Sequence, residues 1–297
     1  MKISKLTIAA LALGLLASGA NAQDSGTLKK IKDTGVITLG HRESSIPFSY
    51  YDDKQNVIGY SQDYALAIVD AVKAKLNLPN LQVKLVPVTS QNRIPLVQNG
   101  TIDIECGSTT NNLDRQKQAD FTDTIFVIGT RLMTKKDSGI KDFADLKGKT
   151  VVTTAGTTSE RLLRKMNQDK SMGMNIISAK DHGDSFLTLD TGRAVAFMMD
   201  DALLAGERAK SNHPDDFVIV GTAQSREAYG CMLRKGDVDF KKVADSAISK
   251  IETSSTGAAL YQKWFESPIP PKGLNLKFPM SDDMKALFKS PNDKAID

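Results

Sequence analysis

Two hydrophobic rhythms alternate along the chain. Segments 36–40, 83–88 and 101–104 are short and apolar or alternating, as β-strands are. Between them, apolar residues recur three and four apart. Ala65, Val69, Val72 and Leu76 form a stripe in a helix expected over 61–77, with Ser61 as its cap and Asp63 in its first turn. A second helix opens after Thr89 to Arg93, runs toward Gln98 and is closed by Asn99 and Gly100. After a short helical lead over 28–32, this order is βαβαβ, the grammar of a parallel sheet with crossover helices.

The pattern repeats with different spacing further on. An exit from this unit is expected over 124–129, followed by strands at 130–136, 149–154, 175–179, 194–199 and 216–221. Gly156 makes a turn, and Thr157 with Glu160 fits a capping box for a helix through Asn167, leaving the amides of Thr158 and Ser159 for an anion. The 194–199 strand ends in Asp200 and Asp201, where one carboxylate can cap the next helix and the other bind an ammonium. Segment 229–235 reads as a strand returning to the first unit. Helices follow from Asp239 and from Gly257, the latter carrying Trp264 and Phe265. Pro268, Pro270 and Pro271 break that helix, and a last one spans 282–289.

The first 22 of the 297 residues change the picture. Lys2 and Lys5 precede an apolar run from Leu6 to Leu16, and Ala20-Asn-Ala22 is a cleavage site of the small-residue kind, so a mature chain starting at Gln23 is expected. The run is too short to span a bilayer. The remaining length suits two domains of ordinary size. The chain carries 39 basic and 35 acidic side chains, and loss of the two leader lysines narrows the excess further. That balance points to neither nucleic acid nor a membrane surface as partner. Two cysteines, Cys106 and Cys231, favour a disulfide in an oxidising compartment, the alternative being two buried thiols.

Candidate chemistry clusters at the C-terminal ends of strands, where open α/β sheets bind ligands. Arg42, Ser90, Arg93, Ser108 and Arg115 all fall there. Residues 105–115 combine a strand end, a glycine, the hydroxyls of Ser108, Thr109 and Thr110, and a helix start that Thr110, Asn111 or Asn112 can cap. A guanidinium with amides at a helix N-terminus suits a carboxylate, although a polar turn with a surface ion pair fits the same stretch. Other motifs fail on inspection. Gly148-Lys-Thr150 lacks a glycine at position 143 and leads into a strand, so it is no phosphate loop. Gly183-Asp-Ser185 lacks the second glycine of a nucleophile elbow. His41, His182 and His213 lie far apart and no C-x-x-C occurs, so no metal site is expected.

The order of these features resembles the type II periplasmic solute-binding proteins of the polar amino-acid family over essentially the whole mature chain. The matching features are a strand then Arg42; Gly59 to Asp63 opening a helix; Ser108 to Thr110 with Arg115; Asp145 to Gly148 before a strand; Gly156 to Thr158; Asp200; Tyr229-Gly230; and Trp264-Phe265. Four blocks, His41 to Ser45, Ser90 to Arg93, Glu105 to Asn111 and Lys180 to Asp184, resemble the glutamate/aspartate-binding branch that serves Gram-negative ABC importers. The resemblance implies an α/β fold of two lobes joined by two hinge strands, with the ligand in the cleft. Lobe 1 would be discontinuous, 23–124 plus 229–297, and lobe 2 would be 125–228. It implies a periplasmic monomer that binds L-glutamate and L-aspartate and delivers them to an inner-membrane ABC permease, with no cofactor. Arg115 would take the α-carboxylate with Ser108 and Thr110, and Asp200 the α-ammonium. Arg42, Arg93 and His182 would surround the side-chain carboxylate, with Ser90 and the Thr157–Thr158 turn as hydrogen bonders. Both cysteines fall on strands of the implied first lobe, so a Cys106–Cys231 bridge is expected.

Two other functions fit the same fold. Some relatives are periplasmic dehydratases, which need a general acid; His182 is the candidate here, with Glu43 near Arg42 in sequence. A ligand-sensing ectodomain is the other, and it lacks a membrane span after the lobes. No acid–base pair stands out, so no catalytic residue is assigned.

Overall fold

The structure is a computed structural model that describes residues 26–296. The leader and the cleavage point after Ala22 lie outside the described residues. Val36–His41 is the first strand, preceded by helix Gly26–Thr34. It pairs in parallel with Gln82–Pro87 on one side and with Ile104–Glu105 on the other. Parallel register brings the C-terminal ends of all three to one edge, and with them the turns that carry Arg42, Ser90 and Ser108.

The third of these strands is shorter than its sequence suggests. Instead of 101–104 it is Ile104–Glu105, because the Asp103 carboxylate accepts the Thr38 amide at 2.7 Å and Lys30 Nζ at 2.6 Å, taking the place of a ladder carbonyl. Ser61 is also not the cap expected of it. The helix is Tyr60–Leu76 with Gly59 at its N-cap, and Ser61 donates instead to the Gly107 carbonyl at 2.7 Å.

The expected exit and the strand after it are one element, Ala119–Lys135. Its partner Arg226–Arg234 runs antiparallel along the first part, from Arg226 opposite Gly129 to Arg234 opposite Ala119. Beyond that the long strand pairs with Ala196–Asp200 and Phe217–Val220. Ala196–Asp200 pairs in parallel with Thr150–Thr154, which in turn pairs with Asn175–Ala179. The strand order is thus two parallel groups joined by two antiparallel strands. One apolar cluster runs through both groups, with Phe48, Tyr60, Phe126, Tyr261 and Phe265 in the first and Val152, Phe197 and Phe217 in the second. A separate cluster of Leu132, Leu146, Val151, Leu163 and Met198 lies in the second group. Phe265 lies 4.6 Å from Tyr261 and 4.7 Å from Phe126, centroid to centroid.

Cys106 and Cys231 are bridged, with Cα atoms 4.4 Å apart and a sequence separation of 125. Closing so long a loop stabilises by about 4–5 kcal/mol in the chain-entropy picture.

One buried acid works against stability. Glu252 is 2 % exposed, and no described group bonds either of its oxygens. Burial, then the charge of Asp123, pushes its carboxyl up from 4.5 to about 9. The folded chain therefore holds a proton that the unfolded chain releases, and stability falls as pH rises from 4.5 toward 9. Glu252→Gln is expected to raise stability at pH 8 by ~1–3 kcal/mol and to change little at pH 4. Thermal unfolding of both proteins across that range reads this directly; a gap that stays flat with pH would clear Glu252 of the role.

Candidate functional site

Arg42 follows the first strand and is 1 % exposed. Gly107 makes room for it: a Cβ there would stand 2.4 Å from Glu105 Oε1 and 2.8 Å from Arg42 Cγ. Neither Nη1 nor Nη2 of Arg42 has a hydrogen-bond partner among the described residues. Arg93, also 1 % exposed, donates through Nη1 to the Ser108 carbonyl at 3.1 Å and to Thr109 Oγ1, while its Nε is unpartnered. Thr109 in turn donates to Glu105, a fully buried carboxylate. Burial depresses Arg42 to about 10, with the neighbouring Arg93 charge adding to it.

Arg115 stands on a one-turn helix, Leu113–Gln116, whose cap is Asn112, accepting the Arg115 amide at 2.9 Å. Of the three capping candidates, Asn112 is the one used. The guanidinium donates to the Thr110 carbonyl at 2.9 Å and, across to the other parallel group, to the Gly156 carbonyl at 3.3 Å. Burial and then Arg93 lower it to about 9. Gly156 has φ +78°, and a Cβ on it would meet the backbone of Gln91 at 2.9 Å, so glycine is what lets the two sides come this close.

The second group supplies His182, Asp200 and the start of helix Thr158–Asp169. His182 is 1 % exposed; its Nδ1 lies 2.8 Å from the Thr154 hydroxyl and its Nε2 is unpartnered. Burial first, then the charges of Arg42 and Arg93, hold it well below 6.5, so the ring is neutral. Of the two aspartates, Asp201 bonds the Ala202 amide at 2.9 Å, whereas Asp200 makes no capping bond. Asp200 accepts from Thr130 at 2.8 Å, Ser159 at 3.3 Å and the Tyr229 hydroxyl. Burial, then the charge of Glu227, raises its carboxyl to about 7.

Arg42, Arg93, Arg115, His182 and Asp200 thus form one buried electrostatic cluster. Ser90 is 4 % exposed with an unpartnered hydroxyl, and Ser108 lies 3.4 Å from the Ser45 hydroxyl. Thr157 is spent on the helix cap, accepting the Glu160 amide at 3.0 Å and donating to the Thr154 carbonyl. The expected capping box is displaced by one residue, because Glu160 takes the amide of Gly156. Thr158 donates to Glu227 at 2.7 Å, and Thr110 donates to the same carboxylate. Glu43, by contrast, is exposed.

Glu105, Glu227 and Tyr229 contribute to the site without having been assigned to it from the sequence. An acid at the end of an apolar strand was a usable signal for Glu105. Nothing local marks Glu227, whose burial depends on strands pairing from distant parts of the chain.

Among the described residues no group of histidines, cysteines and acids is placed to hold a metal ion. None of the described helices is long and apolar enough to cross a membrane.

Residues 37–267 match the family model described as bacterial extracellular solute-binding proteins, family 3. The chain belongs to that family. It is 66 % identical over 301 residues to the glutamate/aspartate import solute-binding protein of Salmonella typhimurium, covering all of both chains. It is 64 % identical to the L-glutamate/L-aspartate-binding protein of Pseudomonas aeruginosa, over 97 % of this chain and 96 % of that one. Among solved structures it resembles a mutant of ArgBP from T. maritima, with TM-score 0.72 and 29 % identity over 80 % of this chain and 99 % of that one. For this family-3 solute-binding protein, the two-sided arrangement of parallel strand ends is the fold of type II periplasmic amino-acid-binding proteins.

Proposed function

We propose that this chain captures L-glutamate and L-aspartate in the periplasm and delivers them to the permease of an ABC importer. The observation that carries the reading is the set of buried, unpartnered donors on Arg42 and Arg93. Leaving guanidiniums buried without an anion costs several kcal/mol, and a ligand carboxylate supplies that anion. Asp200 offers the matching acceptor for an ammonium. The names of the relatives at 64–66 % identity agree with it.

In this reading 23–124 plus 229–297 form one lobe and 125–228 the other. Arg115 binds the α-carboxylate, Asp200 the α-ammonium, and Arg42, Arg93, His182 and Ser90 the side-chain carboxylate. A ligand touching both lobes favours the closed arrangement by its differential contacts. The leader directs export and is removed after Ala22. A neutral His182 under the charges of Arg42 and Arg93 is a hydrogen-bond partner rather than a general acid, which favours binding over dehydration chemistry.

Calorimetric titration with a panel of amino acids tests this. Tight binding confined to glutamate and aspartate, recovered unchanged, is the expected result; tight binding of neutral amino acids or conversion of the ligand would overturn it.

A pH dependence follows from Asp200. Free, it releases its proton near pH 7; an ammonium beside it favours the carboxylate, so binding expels a proton below that pH. Glutamate affinity is expected to fall by up to about tenfold per pH unit below 7. Titrations at pH 5, 6 and 8 should show the slope in the wild type and lose it in Asp200→Asn. A slope that survives the substitution belongs to another group.

A further inference from the structure

Glu227 lies on the Arg226–Arg234 strand and is 4 % exposed. Among the described residues, the hydrogen bonds given to its carboxylate come from hydroxyls. One oxygen, Oε2, accepts from both Thr110 and Thr158, the latter at 2.7 Å. The other, Oε1, accepts from Ser225 at 3.0 Å and lies 3.3 Å from the Thr130 hydroxyl. Thr130 Oγ1 is also 2.8 Å from Asp200 Oδ1, so the two carboxylates are separated by one hydroxyl.

Thr110 and Thr158 stand on opposite sides of the cleft. Thr110 precedes the Arg115 helix, and Thr158 opens the helix after Gly156. A hydroxyl has one proton and two lone pairs. With each proton committed to Glu227, neither threonine has one to give a ligand carboxylate; what each still offers is a lone pair. Such acceptors suit an ammonium.

We propose that Glu227 is a positioning residue for the ammonium end of the site, fixing the hydroxyl protons of Thr110 and Thr158 so that both side chains face the ligand as acceptors. This rests on the amino-dicarboxylate reading above and revises one part of it: Thr110 serves the α-ammonium, not the α-carboxylate. The cluster then has two chemically distinct ends. The guanidiniums of Arg42 and Arg93 offer donors only, while Asp200, Thr110 and Thr158 offer acceptors. Glu227 also places a second negative charge beside Asp200, in keeping with the raised Asp200 carboxyl.

The test compares glutamate with glutarate, which has the same two carboxylates and no amine. Glu227→Gln keeps the size of the side chain but removes its charge and gives it a donor. It is expected to lose about 10- to 100-fold in glutamate affinity and less than about threefold for glutarate. Thr110→Val and Thr158→Val are expected to show the same selective loss, and each combined with Glu227→Gln should lose less than the sum of the two, since the residues act through one another. Thermal melts establish that each variant folds. Should Glu227→Gln not fold, Thr158→Val carries the same comparison at a half-buried helix start. Equal losses for both ligands, or additive losses in the double variants, would reduce Glu227 to a structural tie and overturn the proposal. A wild type that binds glutarate but not glutamate would overturn the ligand class itself, and this inference with it.

Discussion

Arg115→Ala is expected to weaken glutamate and aspartate by the same amount, about 2–5 kcal/mol. Both ligands carry the same α-carboxylate, so the loss should not depend on side-chain length. The guanidinium is 9 % exposed, and burial already lowers it to about 9. A bound carboxylate offsets that burial, which is why its absence is felt so strongly. Arg115 also reaches the Thr110 carbonyl on its own side and the Gly156 carbonyl on the other, so its removal takes away a contact between the two parallel groups as well. Calorimetry with both ligands, alongside circular dichroism to establish folding, makes the measurement. A folded variant with near wild-type affinity would remove Arg115 from the anchor role, and a loss confined to one ligand would move it to the side-chain end.

The second large effect is one of selectivity. Arg42→Met is expected to cost glutamate about 2–5 kcal/mol while leaving glutamine little changed. Glutamine has the shape of glutamate without its charge, so in the wild type it leaves the guanidiniums unneutralised. From the sequence, Arg93 is an equally good target. The structure separates the two: Arg93 Nη1 holds the Ser108 carbonyl and Thr109, so its loss disturbs the turn, whereas both terminal nitrogens of Arg42 are unpartnered. Removing one of two adjacent buried cations is also expected to raise the melting temperature of the ligand-free protein, a trade of stability against function. Paired titrations with glutamate and glutamine decide the matter. An unchanged ratio between the ligands would exclude Arg42 from selectivity.

Much of the molecule is legible in the local pattern of its sequence. The 175–179 strand and the 282–289 helix have the bounds their patterns suggest, and most other elements start or end within a few residues. The failures share a cause. Asp103 shortens a strand by substituting its carboxylate for a backbone acceptor, and Ser61 leaves its cap for a carbonyl 46 residues away. Expected strands at 130–136 and 229–235 are parts of longer ones, because continuous pairing across the middle of the sheet overrides the local pattern there.

The sequence by itself determined the α/β class, the export leader as an expectation, and the residue types of the site. Local periodicity and capping chemistry act over a few residues, and three arginines placed after strands already call for an anionic ligand. Only the tertiary structure decided how those groups divide the work. Parallel register brings Arg42, Ser90 and Ser108 to one edge, and the antiparallel pair of long strands sets Glu227 beside Asp200 and between two threonines from distant turns. Which hydroxyl has a proton left to give, and which guanidinium has nitrogens unused, depends on distances between segments far apart in the chain. Such distances are set by packing and pairing, which no local stretch of sequence encodes.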